Sequence, residues 1–583
     1  MQEKGIAAYI VPTSDCHISE YLGDYFKTRE FMSGFTGSAG TLVIKSEKAG
    51  LWTDGRYFIQ AEEQLKGTGI TLFKSGEEGV PSISQYLSGE LAVNSVIAAD
   101  GKTVQAAWVS ELMGNVGARG IVFDGSCDLV GEIWEDRPPI SDKPAYLLDE
   151  KYTGKSSRDK IAQLREQMKK TSADIHILAS LDDIAWLFNI RGDDIRYTPV
   201  VLAYAVITYD KSILFAEEKK FSQQDRKKLE ADGIEIKNYN AVYEYINQLP
   251  ESNAVLLSGK KVNYCLYNGV KSRFKIIDKE NPTVLLKSVK NAVEIDCIRK
   301  AHHSDGAAVT RLMYKLKNKK LAEPVTEMSV SQEVNELRAK NSDNRGPSFE
   351  TITGYGPHSA VIHYSPSEQS NFEIKGDGLL LIDSGGQYLG GTTDITRTIA
   401  IGEITLEQKR HYTLVLKGLL ALSALRFPHG AKGFNLDAVA RAPIWKELLD
   451  YNHGTGHGVG SFLNVHEGPC SIMWKSNSGQ DIPAIMPGMV LSAEPGIYIT
   501  GSHGVRLENL LLCVEAPKSE FGNFLEFETL TFAPFDLDAV DVSLLNCEER
   551  KMLNDYHKKV YEKLCNELDN DEKIWLEKAT KPI

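Results

Sequence analysis

No apolar run in this 583-residue chain reaches the roughly 18 residues that a membrane-crossing helix needs, and no basic region followed by an apolar core stands at the N-terminus. Those absences point to a soluble, unsecreted protein. Cysteine pairing motifs are also missing. Eight cysteines, Cys16, Cys127, Cys265, Cys297, Cys470, Cys513, Cys547 and Cys565, are scattered with no C-x-x-C among them, so a reduced cytoplasmic setting fits better than a disulfide framework. Positive charge is in deficit: 66 Lys and Arg against 79 Asp and Glu leave a net charge of −13. That argues against a general nucleic-acid surface, which needs clustered Lys and Arg. The glycine-rich run GFTGSAG at residues 34–40 has neither phosphate-loop nor dinucleotide spacing and is read as a turn between strands.

What is present is ordinary globular composition, 42% apolar and 25% charged, in a chain too long for one hydrophobic core. In residues 1–135 short apolar runs alternate with helical patterns, which predicts an α/β domain. EDRPPISDKPAYLLDEKYTGKSS, from Glu135 to Ser157, reads as a linker leading to a helix at about Ser157. A similar alternation returns over 136–288, a second α/β domain and a weakly similar copy of the first. From Val289 the helical spacing of Ile295, Ile298, Ala301, Ala308 and Leu312 opens a third domain, 289–583, of mixed α+β character. His302 and His303 on that helix are read as surface or packing residues. The tail after Asp541 is predicted helical, with Leu553, Tyr556, Val560 and Leu564 on one face.

Four carboxylates carry the chemistry. LLLIDSGGQYLGGTTDITRTI, residues 379–399, reads as strand, turn, strand with Asp383 and Asp394 one to each strand. MVLSAEPGIYI and GVRLENLLLCV repeat the arrangement with Glu494 and Glu508. Acids are depleted in strands and very costly to bury ionised and unpaired. Two divalent cations about 3.5–4 Å apart, bridged by water or hydroxide, would compensate all four and take His457 of HGTGHGVGSF as a fifth ligand. A single metal would leave two carboxylates over. The oxygen-rich set suits Mn²⁺ and leaves Zn²⁺, Co²⁺ and Fe²⁺ open. Taken singly, each acid has a bland alternative in a salt bridge, and Arg506, two residues before Glu508, is the obvious partner.

The order Asp383, Asp394, His457, Glu494, Glu508, with HGTGHGVG, NVHEGP, EPG and VRLEN around it, closely resembles the pita-bread metallopeptidases. Within them it is most similar to the long, three-domain, cytosolic aminopeptidases that act on Xaa-Pro bonds. YIVPTSDCHISEYLG, GFTGSAGT, LWTDGRYF and DDIAWLFNIRG extend the resemblance through the first two domains. It implies two creatinase-type N-terminal α/β domains followed by a pita-bread catalytic domain. It implies a dinuclear, usually Mn²⁺, centre on those five residues and a homodimer. It also implies that His363 and His466 contact substrate, that His453 and Arg506 support the site, and that Arg56 belongs to the substrate-binding set.

The expected reaction is attack of a metal-bridging hydroxide on the first peptide bond of a peptide with proline in second position. Glu494 would act as base and then acid, and His466 and His363 as donors to the carbonyl oxygen. An Xaa-Pro dipeptidase would use the same ligands, and creatinase-like hydrolysis or methionine removal remain further alternatives. A metal-free peptide-binding module should have lost ligands.

Overall fold

Short apolar runs bounded by Gly, Pro and Asp form strands, and in the N-terminal half they assemble into two six-stranded sheets. The computed structural model describes residues 1–251, 253–475 and 482–583. The first sheet holds β1 (Ile6–Pro12), β2 (Thr41–Lys45), β3 (Ala49–Thr53), β4 (Ile70–Lys74), β5 (Val96–Ala98) and β6 (Val122–Asp124), in spatial order β4-β3-β2-β1-β5-β6. The second holds β7 (Ile175–Leu178), β8 (Tyr204–Thr208), β9 (Ser212–Phe215), β10 (Ile234–Lys237), β11 (Ala254–Leu257) and β12 (Lys275–Asp278), in order β10-β9-β8-β7-β11-β12. Position by position the two orders coincide. So do the directions: β1–β2 and β2–β3 are antiparallel, as are β7–β8 and β8–β9, and the three remaining pairs of each sheet are parallel. The repeat expected from the sequence is therefore present in the topology.

Both sheets lie in one unit, Met1–Asp149 with Lys155–Val284, while Glu150–Gly154 belongs with Leu285–Ile583 in the other. The segment read as a linker has structure of its own. It contains a short strand, Ala145–Leu147, and the helix Glu150–Thr153, before Ser156 caps the helix Ser157–Thr171. GFTGSAG is a loop, but it leaves a helix, Thr28–Ser33, rather than a strand.

The second unit opens on the helix Ala292–Lys317, capped by Asn291 with Glu294 in a reciprocal box. Its sheets are antiparallel. Ile352–Tyr355, Gly378–Ser384 and Ile395–Ile401 form one. A six-stranded sheet includes Gly456–Gly458, Val490–Ala493 and Asn509–Glu515. Leu379, Leu419, Leu491, Leu511 and Leu525 meet in the main core, where Leu553, Tyr556, Val560 and Leu564 of the C-terminal helix Cys547–Leu564 dock as their spacing predicts.

The carboxylate hairpins differ from expectation in one respect. Only Asp383 lies inside a strand; Asp394 immediately precedes one, Glu494 immediately follows one, and Glu508 falls between two. Pro495 cannot donate to a ladder, so the long hairpin breaks there. Before the break Val490–Ala493 pairs with Asn509–Glu515, and beyond it Gly496–Ile499 pairs with His503–Arg506 as a separate ribbon. Both glutamates sit at that break, where the backbone is free to turn a side chain inward.

Candidate metal centre

Strand register brings the acids together. Asp383 stands opposite Thr396, two residues beyond Asp394, and the Thr396 hydroxyl donates to Glu508 Oε2 at 2.8 Å. The Glu508 backbone N–H donates to the Thr396 carbonyl at 3.1 Å, stitching the second hairpin to the first. Gly385 lets the chain close up here, since a Cβ would lie 2.0 Å from the Thr393 carbonyl oxygen. Asp394, His457 and Glu508 each offer a donor atom, and all three atoms lie within 4.8 Å of one another.

His457 is delivered by a second close approach. A Cβ on Gly456 would sit 1.9 Å from the Ser492 carbonyl oxygen, so only glycine allows the Gly456–Gly458 strand this near to Glu494. His457 Nδ1 lies 2.9 Å from the Gly458 carbonyl, which holds a proton on Nδ1 and points Nε2 at the acids. Nε2 is 3.5 Å from both Asp394 Oδ2 and Glu494 Oε1. The Ser492 hydroxyl accepts from His457 N at 2.9 Å and donates to Glu494 Oε1 at 3.2 Å.

Arg506 faces Asp383, not Glu508, the partner its sequence position offered. Its Nη2 and Nε donate to Asp383 Oδ2 at 2.6 and 3.1 Å. Nη1 donates to the Tyr498 hydroxyl at 2.7 Å, and His453 Nε2 lies 2.9 Å from that same oxygen. His453, Tyr498, Arg506 and Asp383 thus form one continuous chain. Tyr498 and Thr396 escaped the sequence reading, although both stand within four residues of a candidate acid. His466 packs edge-on to His457 with ring centres 4.4 Å apart. His363 lies in a turn whose preceding carbonyl, Ile362 O, accepts from Arg506 Nη2 at 3.3 Å. Arg56 belongs to the other unit, where its guanidinium forks onto Asp54 at 2.8 and 2.7 Å. His302 is buried, with Nδ1 2.8 Å from the Ile298 carbonyl, and His303 meets Glu567 at 3.2 Å; both are packing or surface residues as read.

The electrostatics are those of an under-compensated acidic cluster. Burial and the charges of Asp394 and Glu494 push Asp383 up to about 7, even with Arg506 opposing. Burial and the neighbouring acids drive Glu508 well above the carboxylate range, and Glu494 is raised as well. Burial disfavours a charged His457, yet contact with Asp394 and the charge of Glu494 outweigh it and lift the imidazole to about 9. His453 goes the other way, to about 3, through burial and the Arg506 charge. Two buried oxygens, Asp383 Oδ1 and Glu508 Oε1, have no hydrogen-bond partner among the described residues. Orphaned carboxylate oxygens beside an imidazole whose Nε2 faces them, and which gives up its proton there when a cation takes its place, fit divalent cations.

Known proteins share this arrangement of segments. Residues 1–125 and 136–294 match the Creatinase/Prolidase N-terminal domain, residues 296–515 match Metallopeptidase family M24, and residues 523–583 match the C-terminal region of that peptidase. A probable Xaa-Pro aminopeptidase P of Sordaria macrospora is 38% identical, over 100% of this chain and 98% of that one. Xaa-Pro aminopeptidase 1 of Dictyostelium discoideum is 36% identical, over 100% and 95%. The crystal structure of an X-prolyl aminopeptidase from Caenorhabditis elegans, described as a cytosolic enzyme with a di-nuclear active site, superposes with a TM-score of 0.93 at 35% identity, covering 99% of this chain and 95% of that one. An Xaa-Pro dipeptidase from Bacillus anthracis covers only 66% of this chain, with a TM-score of 0.53 and 25% identity. Two creatinase-type domains ahead of a pita-bread domain, matched end to end by those relatives, make this chain a member of the Xaa-Pro aminopeptidase P family of M24 metallopeptidases, and so a peptide-bond hydrolase.

Proposed function

We propose that the chain is a metal-dependent aminopeptidase that removes the N-terminal residue from peptides with proline in second position. The observation that carries the reading is the pair of buried oxygens without a partner among the described residues, Asp383 Oδ1 and Glu508 Oε1, beside the group Asp394, His457 and Glu508, with Glu494 Oε1 3.5 Å from His457 Nε2. These five residues would hold two divalent cations, Mn²⁺ by preference for an oxygen-rich set with one imidazole. When bound, such a pair lowers the pKa of water and polarises the scissile carbonyl.

The chain's own residues do the rest. Glu494 takes the proton of the attacking water and delivers it to the leaving prolyl nitrogen, base first and acid second. The Ser492 hydroxyl and the Glu494 backbone N–H, which donates to the Thr455 carbonyl at 2.8 Å, keep that carboxylate oriented. His466 and His363 donate to the carbonyl oxygen as it gains charge. Arg506 neutralises one oxygen of Asp383 and leaves the other for the cation. Arg56 is assigned to substrate binding by resemblance. Surplus negative charge suits a free N-terminal amine, which makes the enzyme an exopeptidase. Proline in second position has no N–H and a fixed φ, so it defeats enzymes that grip the backbone there and requires a dedicated pocket.

The reading includes a cytoplasmic location, supported by the worm relative's description and by the finding that no described helix is long and apolar enough to cross a membrane. It includes a homodimer, which rests on the family resemblance alone. Light scattering on the purified protein tests the dimer. The principal experiment compares an Xaa-Pro-Xaa tripeptide with an Xaa-Pro dipeptide, using chelator-stripped protein with and without Mn²⁺. Tripeptide cleavage restored by Mn²⁺ is expected; exclusive dipeptide cleavage would move the chain to the dipeptidases.

A further inference from the structure

Glu327, the first residue of the helix Glu327–Ala339, is fully buried and collects donors from a single stretch of chain. Its Oε1 accepts from Tyr355 N at 2.7 Å and lies 2.9 Å from His358 Nδ1. Its Oε2 accepts from the Tyr364 hydroxyl and from Phe372 N, both at 2.8 Å. His358 is sandwiched besides, its ring centre 3.7 Å from that of Phe372 and 4.3 Å from that of Tyr364. The segment 355–372 is therefore wrapped on one carboxylate, and a charge with several well-directed donors holds its partners more strongly than a neutral acceptor does.

The other face of the segment is tied to the carboxylate hairpins. Gly504 N donates to Ser359 Oγ at 2.7 Å, and Arg506 Nη2 reaches Ile362 O. His363 stands between these two anchorages: the residue before it is bonded to Arg506, and the residue after it to Glu327. Exposed turns of this kind are mobile unless their ends are fixed. The geometry here fixes both.

We propose that Glu327 is a positioning residue for catalysis, holding His363 at the substrate through Tyr364 and His358. The proposal rests on His363 being a donor to the scissile carbonyl, as assigned above. Misplacing a catalytic group by about 1 Å costs on the order of 10²-fold in rate.

The test is a double-mutant cycle on the full-length, Mn²⁺-loaded protein, reading kcat and KM on an Xaa-Pro-Xaa peptide, with bound metal and thermal unfolding measured alongside. Tyr364→Phe removes one hydroxyl and is expected to lower kcat about 10- to 100-fold, with KM and metal content unchanged. In a His363→Ala background the same substitution should lower kcat no further, because the group it positions is gone. Glu327→Gln should follow the same pattern with a larger drop; if it does not fold, Tyr364→Phe carries the test alone. Independent effects that multiply in the double variant would overturn the positioning role while leaving His363 a substrate contact. A His363→Ala enzyme with normal kcat would overturn both, and the single variant tells the two failures apart.

Discussion

Two buried acidic regions of the second unit are built on opposite plans. At Asp305 each carboxylate oxygen is matched: Arg338 forks onto it at 2.7 and 3.1 Å, and the Tyr388 hydroxyl adds a third donor at 2.9 Å. Burial works against that carboxylate, but Arg338 prevails and holds it below the ordinary Asp range. A few strands away, Asp383, Asp394, Glu494 and Glu508 share one guanidinium and one imidazole, two of their oxygens have no donor, and three of the four are pushed upward. Asp305 in the one region and Asp383, Asp394 and Glu508 in the other are all buried, so burial does not distinguish them. The balance of charge does. One region is balanced within the chain and serves the fold; the other is left acidic, as the proposed cation site requires.

The contrast can be broken most severely at Glu494, the proposed proton carrier. Glu494→Gln should lower kcat by about 10²–10⁴ on a tripeptide substrate while the protein stays folded. Arg338→Leu should do the reverse, removing about 3–5 kcal/mol of stability in denaturant titration by leaving Asp305 buried and alone. Glu508→Gln in metal-free protein should raise the denaturation midpoint, since it relieves repulsion; a loss as large as that of Arg338→Leu would erase the distinction between the two regions. Mn²⁺ at a hundred times its Kd should add about 2.7 kcal/mol to the wild type and little to Glu508→Gln.

The smallest effect is one of sign with pH. An acid raised in the folded state, such as Asp383 at about 7 against an ordinary 3.8, favours folding at low pH and loses that contribution as pH rises through 7. Asp305, lowered, contributes at neutral pH and loses its share as the solution is acidified through the ordinary Asp range. Thermal unfolding of metal-free protein from pH 5 to 8 should therefore fall, and Mn²⁺ should flatten the slope.

The four candidate acids were legible because acids within apolar runs are costly, and the cost shows in one dimension; His457 was legible as the glycine-flanked imidazole between them. The duplicated sheets were only faintly visible, because strand order is conserved in space while the apolar residues that satisfy it are interchangeable. The break at Pro495 was written in the sequence, yet alternation alone read straight through it and put Glu494 inside a strand. Arg506 is visible in the sequence, where its position offers Glu508 as the bland partner; in the fold its partner is Asp383, 123 positions distant. Tyr498, Thr396 and Glu327 were unreadable for the same reason, since hydroxyls and an acid in the first turn of a helix acquire their roles only from residues that folding brings to them.

The placement of Glu150–Gly154 with the second unit has a practical consequence for anyone dissecting the molecule. Asn291, which caps the long opening helix, donates from Nδ2 to the Thr153 carbonyl at 2.9 Å, and Cys297 Sγ lies 3.7 Å from the Lys151 carbonyl. A recombinant fragment begun at Leu285 would contain every candidate ligand but would strip the start of that helix of its covering turn. The natural scissors point is therefore not the Val284–Leu285 bond alone, and shuffling this half onto other partners would have to carry Glu150–Gly154 from upstream along with it.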